Sequence, residues 1–160
     1  MLIICDSSAL IALAVCDILH LLEDLYEEVL IPQKVYEEIQ VPGKPESTKI
    51  KQWASSKVAK ATIDNLSKAN KLGLDPGETE AIALYWDKSA DRLLIDDGLA
   101  REVAKQNGIK ITGSSGILLL AKEQGLIPAV KPYMDMMYNS EVYITKEFYD
   151  TVLLLAGETI

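Results

Sequence analysis

Short apolar runs that stop at acids alternate with helix-patterned stretches along almost the whole chain. Leu2-Ile-Ile-Cys5 runs into Asp6, and Arg92-Leu-Leu-Ile95 runs into Asp96 and Asp97. Two further short runs, Glu28 to Ile31 and Ile109 to Thr112, lie between helical segments. Continuous apolar runs of this length read as strands covered on both faces, which is the condition inside a parallel sheet. Parallel neighbours need crossover connections, and the intervening helical patterns supply them. The expected fold class is therefore α/β, with a central parallel sheet between two helical layers, a three-layer α/β/α arrangement.

The helices carry their own punctuation. Ser7 or Ser8 is placed to cap a helix over Ala9 to Leu22, and Pro32 opens another from Gln33 to Gln40. Val41-Pro-Gly-Lys-Pro45 reads as a loop, and Ser47 to Ser55 as a helix. Val58 to Ile63 is a candidate strand, and Asp64 to Lys71 a short helix. Asp75 precedes Pro76 as an N-cap, with Ala81, Ile82, Leu84 and Tyr85 at helical spacing behind it. A helix from Leu99 to Gln106 stops at Asn107-Gly108, and the one after Gly113-Ser-Ser-Gly116 stops at Gly125. Pro128 to Met137 reads as helical, Val142 to Ile144 as a short strand, and Thr145 as the cap of a last helix through Leu155.

The 160 residues suit a single domain, 1–160, with a full core. The longest early apolar stretch, Ala9 to Cys16, is far shorter than the ~20 residues of a membrane span. No basic segment precedes it, so neither a secretion leader nor a membrane location is expected. Cys5 and Cys16 sit in apolar settings and read as buried free thiols of a cytoplasmic protein. The net charge of −8 argues against nucleic acid until its distribution is considered. Residues 1–43 hold eight acids and one lysine, residues 44–73 hold seven lysines and two acids, and residues 74–160 hold fourteen acids and eight bases. A basic middle segment can meet phosphates while the acidic flanks hold metal; a solvated helix face is the plainer reading.

Asp6 and Asp97 follow strands, and in open α/β sheets ligands bind beyond the carboxyl ends of the strands. If those two strands are neighbours, both carboxylates reach one cleft. Two carboxylates ~4 Å apart repel by about 4 kcal/mol at an effective dielectric near 20. Such a group either takes up protons or recruits a cation. An all-oxygen set suits Mg²⁺ or Mn²⁺. Each acid also has a structural reading: Asp6 and Asp97 as helix caps, Glu38 as a surface acid, Glu78 as a favourable charge at a helix start.

In sequence order, Asp6-Ser-Ser-Ala-Leu-Ile-Ala, Leu30-Ile-Pro-Gln-Lys-Val-Tyr-Glu-Glu38-Ile, Leu74-Asp-Pro-Gly-Glu78-Thr-Glu-Ala-Ile-Ala-Leu and Leu94-Ile-Asp-Asp97 together resemble a PIN domain. The likeness continues through Gly108 to Lys122, Gly125-Leu-Ile and Leu155-Ala-Gly-Glu158. It implies a Mg²⁺- or Mn²⁺-dependent ribonuclease, of which many are VapC-type toxins paired with an antitoxin protein, and it implies homodimers. Carried over by position, Asp6, Glu78 and Asp97 are the metal ligands, and Glu38 completes the catalytic set. Glu37 and Asp96 are the neighbouring alternatives. Ser7, Arg101 and Ser114 are candidate contacts to RNA, and Ser115 is a further candidate to hold a water or a phosphate oxygen. Many PIN domains carry one more Asp after the last central strand; here Thr112, Ser114 and Ser115 occupy that region. That difference keeps a second reading open, a catalytically weak PIN-like module that binds RNA or a protein.

Other chemistries fit poorly. His20 is the only histidine and lies in an apolar helical stretch, which leaves little for a Ser-His-Asp triad or a His-rich zinc site. No Walker-type or Rossmann-type glycine pattern is present. A phosphoacceptor switch also gathers acids at strand ends, but no lysine stands in the expected place after a later strand, Lys110 being the nearest.

Overall fold

A computed structural model describes residues 1–40 and 46–158. Its elements in chain order are β1 (Leu2–Cys5), α1 (Ser7–Val15), α2 (His20–Leu25), β2 (Glu28–Pro32), α3 (Gln33–Ile39), α4 (Ser47–Ala54), β3 (Val58–Ala59), α5 (Ile63–Asn70), α6 (Pro76–Lys88), β4 (Arg92–Leu94), α7 (Gly98–Gln106), β5 (Ile111–Thr112), α8 (Ser114–Glu123), α9 (Lys131–Tyr138) and α10 (Lys146–Leu155). The five strands form one sheet in the order β3-β2-β1-β4-β5, and every pairing is parallel. The anticipated α/β class and three layers are what the chain forms.

Side-chain alternation along the strands divides the core in two. Ile3, Cys5, Val29, Ile31 and Leu94 face one layer, built from α1, α2, α3, α4, α8, α9 and α10. Ile4, Leu93 and Ile95 face the other, with Ala81 to Leu84 of α6, Ala100 and Ala104 of α7, and Ala69 of α5. Small alanines on these helices let them lie close to the sheet.

The order of the strands places the site. Chain progress reverses direction across the sheet between β1 and β4, since β2 and β3 lie to one side and β5 to the other. Ile3, Ile4 and Cys5 pair with Arg92, Leu93 and Leu94. The Asp6 amide then donates to the Leu94 carbonyl at 2.9 Å, carrying the ladder one residue past β1. Asp6 and the Asp96-Asp97 pair thus emerge side by side at the carboxyl edge, at the topological switch point.

Several local expectations differ from the structure. The helix anticipated over Ala9 to Leu22 is two helices, because Asp17 takes a left-handed φ of 56° and breaks the run. Asp17 follows directly on the apolar stretch Ala9 to Cys16 and, as an Asp, takes a left-handed turn more readily than its apolar neighbours. Asp6, rather than Ser7 or Ser8, occupies the N-cap position. The strand over Val58 to Ile63 shrinks to two residues, since Thr62 caps α5 through Asn65 N–H. Residues 142–144 form no strand; they run irregularly into α10, whose Thr145 cap accepts from Phe148 N–H. The loop read over Val41 to Pro45 lies outside the described residues. No helix among the described residues is long and apolar enough to cross a membrane.

Candidate active site

Four helix N-termini show what this chain normally does with a capping oxygen. Thr62, Asp75, Asp97 and Thr145 each accept a hydrogen bond from a backbone N–H three residues ahead. Asp6 stands in the same position on α1 and makes no such bond. Its side chain is 2% exposed. Oδ2 accepts from the Ser8 hydroxyl at 3.1 Å, and Oδ1 has no hydrogen-bond partner of good geometry among the described residues. A buried, unpaired carboxylate oxygen costs free energy, so its presence asks for a ligand. Burial pushes the Asp6 carboxyl up to about 7; the Ser7 amide and Ser8 hydroxyl act against this, and the Asp75 and Glu38 carboxylates add to it.

Glu78 lies one turn into α6. Asp75 Oδ1 accepts from its amide at 2.8 Å, and Glu78 Oε1 lies 3.4 Å from the Asp75 amide, closing a capping box. Burial also pushes Glu78 up to about 7, and the carboxylates of Asp75, Asp6 and Asp97 push the same way. The cap and the cluster are therefore one arrangement. Asp75, read from sequence only as a cap, is a member of the acidic group. Its capping pattern was legible; its nearness to Asp6 depends on how α6 crosses the sheet.

The ambiguous neighbours separate cleanly in space. Glu38 accepts from the Ser7 hydroxyl at 3.3 Å and lies against Gly77, where a Cβ would overlap its carboxylate. Glu37 faces outward and pairs with Lys34 at 3.6 Å. Glu80, two residues beyond Glu78, accepts from the Lys34 amide at 2.9 Å and so pins the start of α3. Asp97 is exposed and its carboxylate acts on Glu78, whereas Asp96 spends both oxygens on Ser114, at 2.7 Å from its amide and 2.6 Å from its hydroxyl. Arg101 donates to the Ile95 carbonyl at 2.8 Å. Gly113 allows this crowding, since a Cβ there would stand 2.8 Å from Asp96 Oδ1 and 2.9 Å from Arg101 Nη1.

Asp6, Glu38, Asp75, Glu78 and Asp97 thus form one electrostatically coupled group around the switch-point crevice. Among the described residues, no three Asp, Glu, His or Cys side chains already stand close enough to close on one ion. The donor chemistry nonetheless suits a hard divalent cation: oxygen donors alone, one of them buried and unpaired. The lysines of the basic segment are partly committed elsewhere. Lys49 pairs with Glu46, Lys57 pairs with Glu23 and stacks on Trp53, and Lys68 lies over Trp86. Lys44 lies outside the described residues.

A family model described as a PIN domain matches residues 2–158. The chain belongs to the PIN domain family. That match covers β1 through the residues after α10, so every acid of the crevice lies inside it. PIN domains are generally nucleases and usually use divalent metal ions, which makes this a nuclease fold. None of the curated proteins compared with this PIN domain matches it.

Proposed function

We propose that this PIN domain is a divalent-metal-dependent endoribonuclease, with Asp6, Glu78 and Asp97 as metal ligands, directly or through water. The observation that carries the reading is Asp6, a buried cap-position carboxylate that forgoes its cap and leaves Oδ1 unpaired. A bound Mg²⁺ or Mn²⁺ would polarise a phosphodiester oxygen and lower the pKa of a water. Glu38, held by Ser7 and seated over Gly77, would order that water. Asp75 adds negative charge next to Asp6 and Glu78, which favours a cation in the crevice. RNA as substrate, a toxin role and an antitoxin partner follow from the sequence resemblance. So does a homodimer; a cytoplasmic location rests instead on the two buried free thiols, Cys5 and Cys16.

The test compares wild type with Asp6→Asn on single-stranded RNA and DNA, with Mg²⁺, with Mn²⁺ and with chelator. Cleavage that needs metal and RNA and disappears in a folded Asp6→Asn protein is the expected result. Undiminished cleavage by that variant would sink the mechanism.

A second reading rests on β5. No acid follows it, and Asp96, the carboxylate nearest that turn, is bound to Ser114 through both oxygens. A PIN module that binds metal and RNA with little turnover is consistent with this. Metal-dependent stabilisation without cleavage of any RNA tested favours it.

A further inference from the structure

Beside the acids lies a cavity of about 650 Å³ whose two walls differ in character. Asp96, Asp97, Arg101 and the first residues of α8 form one wall. Met134 and Met137 of α9, with Tyr143 and Phe148, line the rest of it. Tyr143 is 90% exposed and Phe148 47% exposed. The one aromatic pair among the described residues, Tyr138 with Tyr149, includes neither ring. Arg101 takes part in none of the ion pairs among the described residues, and Nη1 alone is engaged, on the Ile95 carbonyl.

We propose that this cavity receives one unpaired nucleobase next to the scissile phosphate. The inference rests on the nuclease reading and extends it to how the substrate is chosen. Three features favour a base over other occupants. The volume lies inside the ~300–1,000 Å³ range of pockets for small ligands, enough for a nucleoside and too little for a folded element. Exposed rings beside apolar side chains are what single-stranded nucleic acid uses for stacking, and a planar guanidinium supplies a second stacking or hydrogen-bonding surface. Asp97 lines the cavity and is also one of the acids coupled to Glu78, so a base seated there leaves its own phosphate near the acids. Arg101 supplies the positive charge that this phosphate needs in an otherwise acidic neighbourhood. A base inside a duplex cannot enter, so the pocket selects unpaired RNA.

Two measurements test it. Fluorescence anisotropy of a labelled mixed-sequence single-stranded RNA is recorded on the Asp6→Asn protein, with and without Tyr143→Ala or Phe148→Ala. Each ring substitution is expected to weaken binding by roughly 10-fold, and Tyr143→Phe to restore it. Sequencing of wild-type cleavage products is expected to show a base preference at one position beside the cut. Tyr143→Ala, otherwise wild type, flattens that preference and raises KM more than it lowers kcat, since the ring touches no reacting group. Both rings are exposed, so folding is preserved. Cleavage with unaltered base preference and affinity in both ring variants overturns the pocket and leaves the nuclease reading standing. Absent wild-type cleavage with binding still lost in the ring variants overturns the nuclease reading and keeps the pocket. Ring variants that bind RNA normally but lose a protein partner or self-association assign the cavity to protein and overturn the inference.

Discussion

Two groups of carboxylates in this PIN domain meet opposite fates. At the C-terminal end, Glu158 accepts from the amides of Val130 and Lys131 at 2.7 and 2.9 Å and pairs with Lys122 at 2.9 Å. Nearby, Asp135 pairs with Lys131 and accepts from the Tyr149 hydroxyl. Burial raises the Glu158 carboxyl, but these partners outweigh it and hold the group below its ordinary range. In the crevice, burial pushes Asp6 and Glu78 up to about 7, and the neighbouring carboxylates add to it. The first group ties α8, α9 and the chain end together. The second holds charge in an unfavourable state, which a structural role does not require and a cation would relieve.

The largest way to break this contrast is Asp6→Asn. Cleavage is expected to fall by at least ~10²-fold while the metal-free protein becomes more stable near neutral pH. Each pKa unit corresponds to ~1.4 kcal/mol, so the gain is on the order of a few kcal/mol. Single-turnover assays and urea denaturation without metal check the two halves. Reduced stability together with retained activity would make Asp6 an ordinary structural residue.

Glu158→Ala works on the opposite group. It strips an acceptor from two amides and Lys122, and about 2 kcal/mol of stability is expected to go. Urea unfolding measures that loss, and cleavage per folded molecule should stay within about 2-fold of wild type.

The pH response sharpens the comparison further. A carboxylate whose folded pKa is raised binds its proton more tightly in the folded state, so its contribution to stability declines as pH rises from about 4 to about 7. A depressed one, as at Glu158, contributes above its ordinary value and loses that contribution as pH falls through the folded value. Metal-free melting temperature is therefore expected to drop between about pH 4 and pH 7, and Mn²⁺ to restore several degrees at pH 8 but little at pH 5. Thermal melts with and without the ion decide it. A flat metal-free profile would remove the case for strained carboxylates.

The smallest stability effect belongs to Asp75→Asn. Asn caps a helix about as well as Asp, so stability should change by no more than ~0.5 kcal/mol. The lost charge should nonetheless weaken Mn²⁺ binding several-fold by calorimetric titration. Equal affinity would return Asp75 to a purely capping role.

Much of the architecture was readable because strand and helix periods are local. The runs at Leu2 and Arg92, the caps at Asp75 and Thr145, and the stops at Gly108 and Gly125 all appear where the residues suggest. What failed was non-local, or turned on a single residue. Ala9 to Leu22 is apolar except for Asp17 and His20, and Asp17 alone, in a left-handed conformation, marks the break. Val142 to Ile144 has strand-like residues but pairs with no strand among the described residues.

The sequence by itself determined the class of the fold and which acids were candidates, since an apolar run ending in Asp is visible in one dimension. Only the tertiary structure decided that β1 lies against β4, so that Asp6 and Asp97 share a crevice. It alone turned Glu38 inward and Glu37 outward, bound Asp96 to Ser114, and drew Asp75 into the cluster. The reason is physical: adjacent acids in sequence are chemically alike, and only packing determines which of them loses its water.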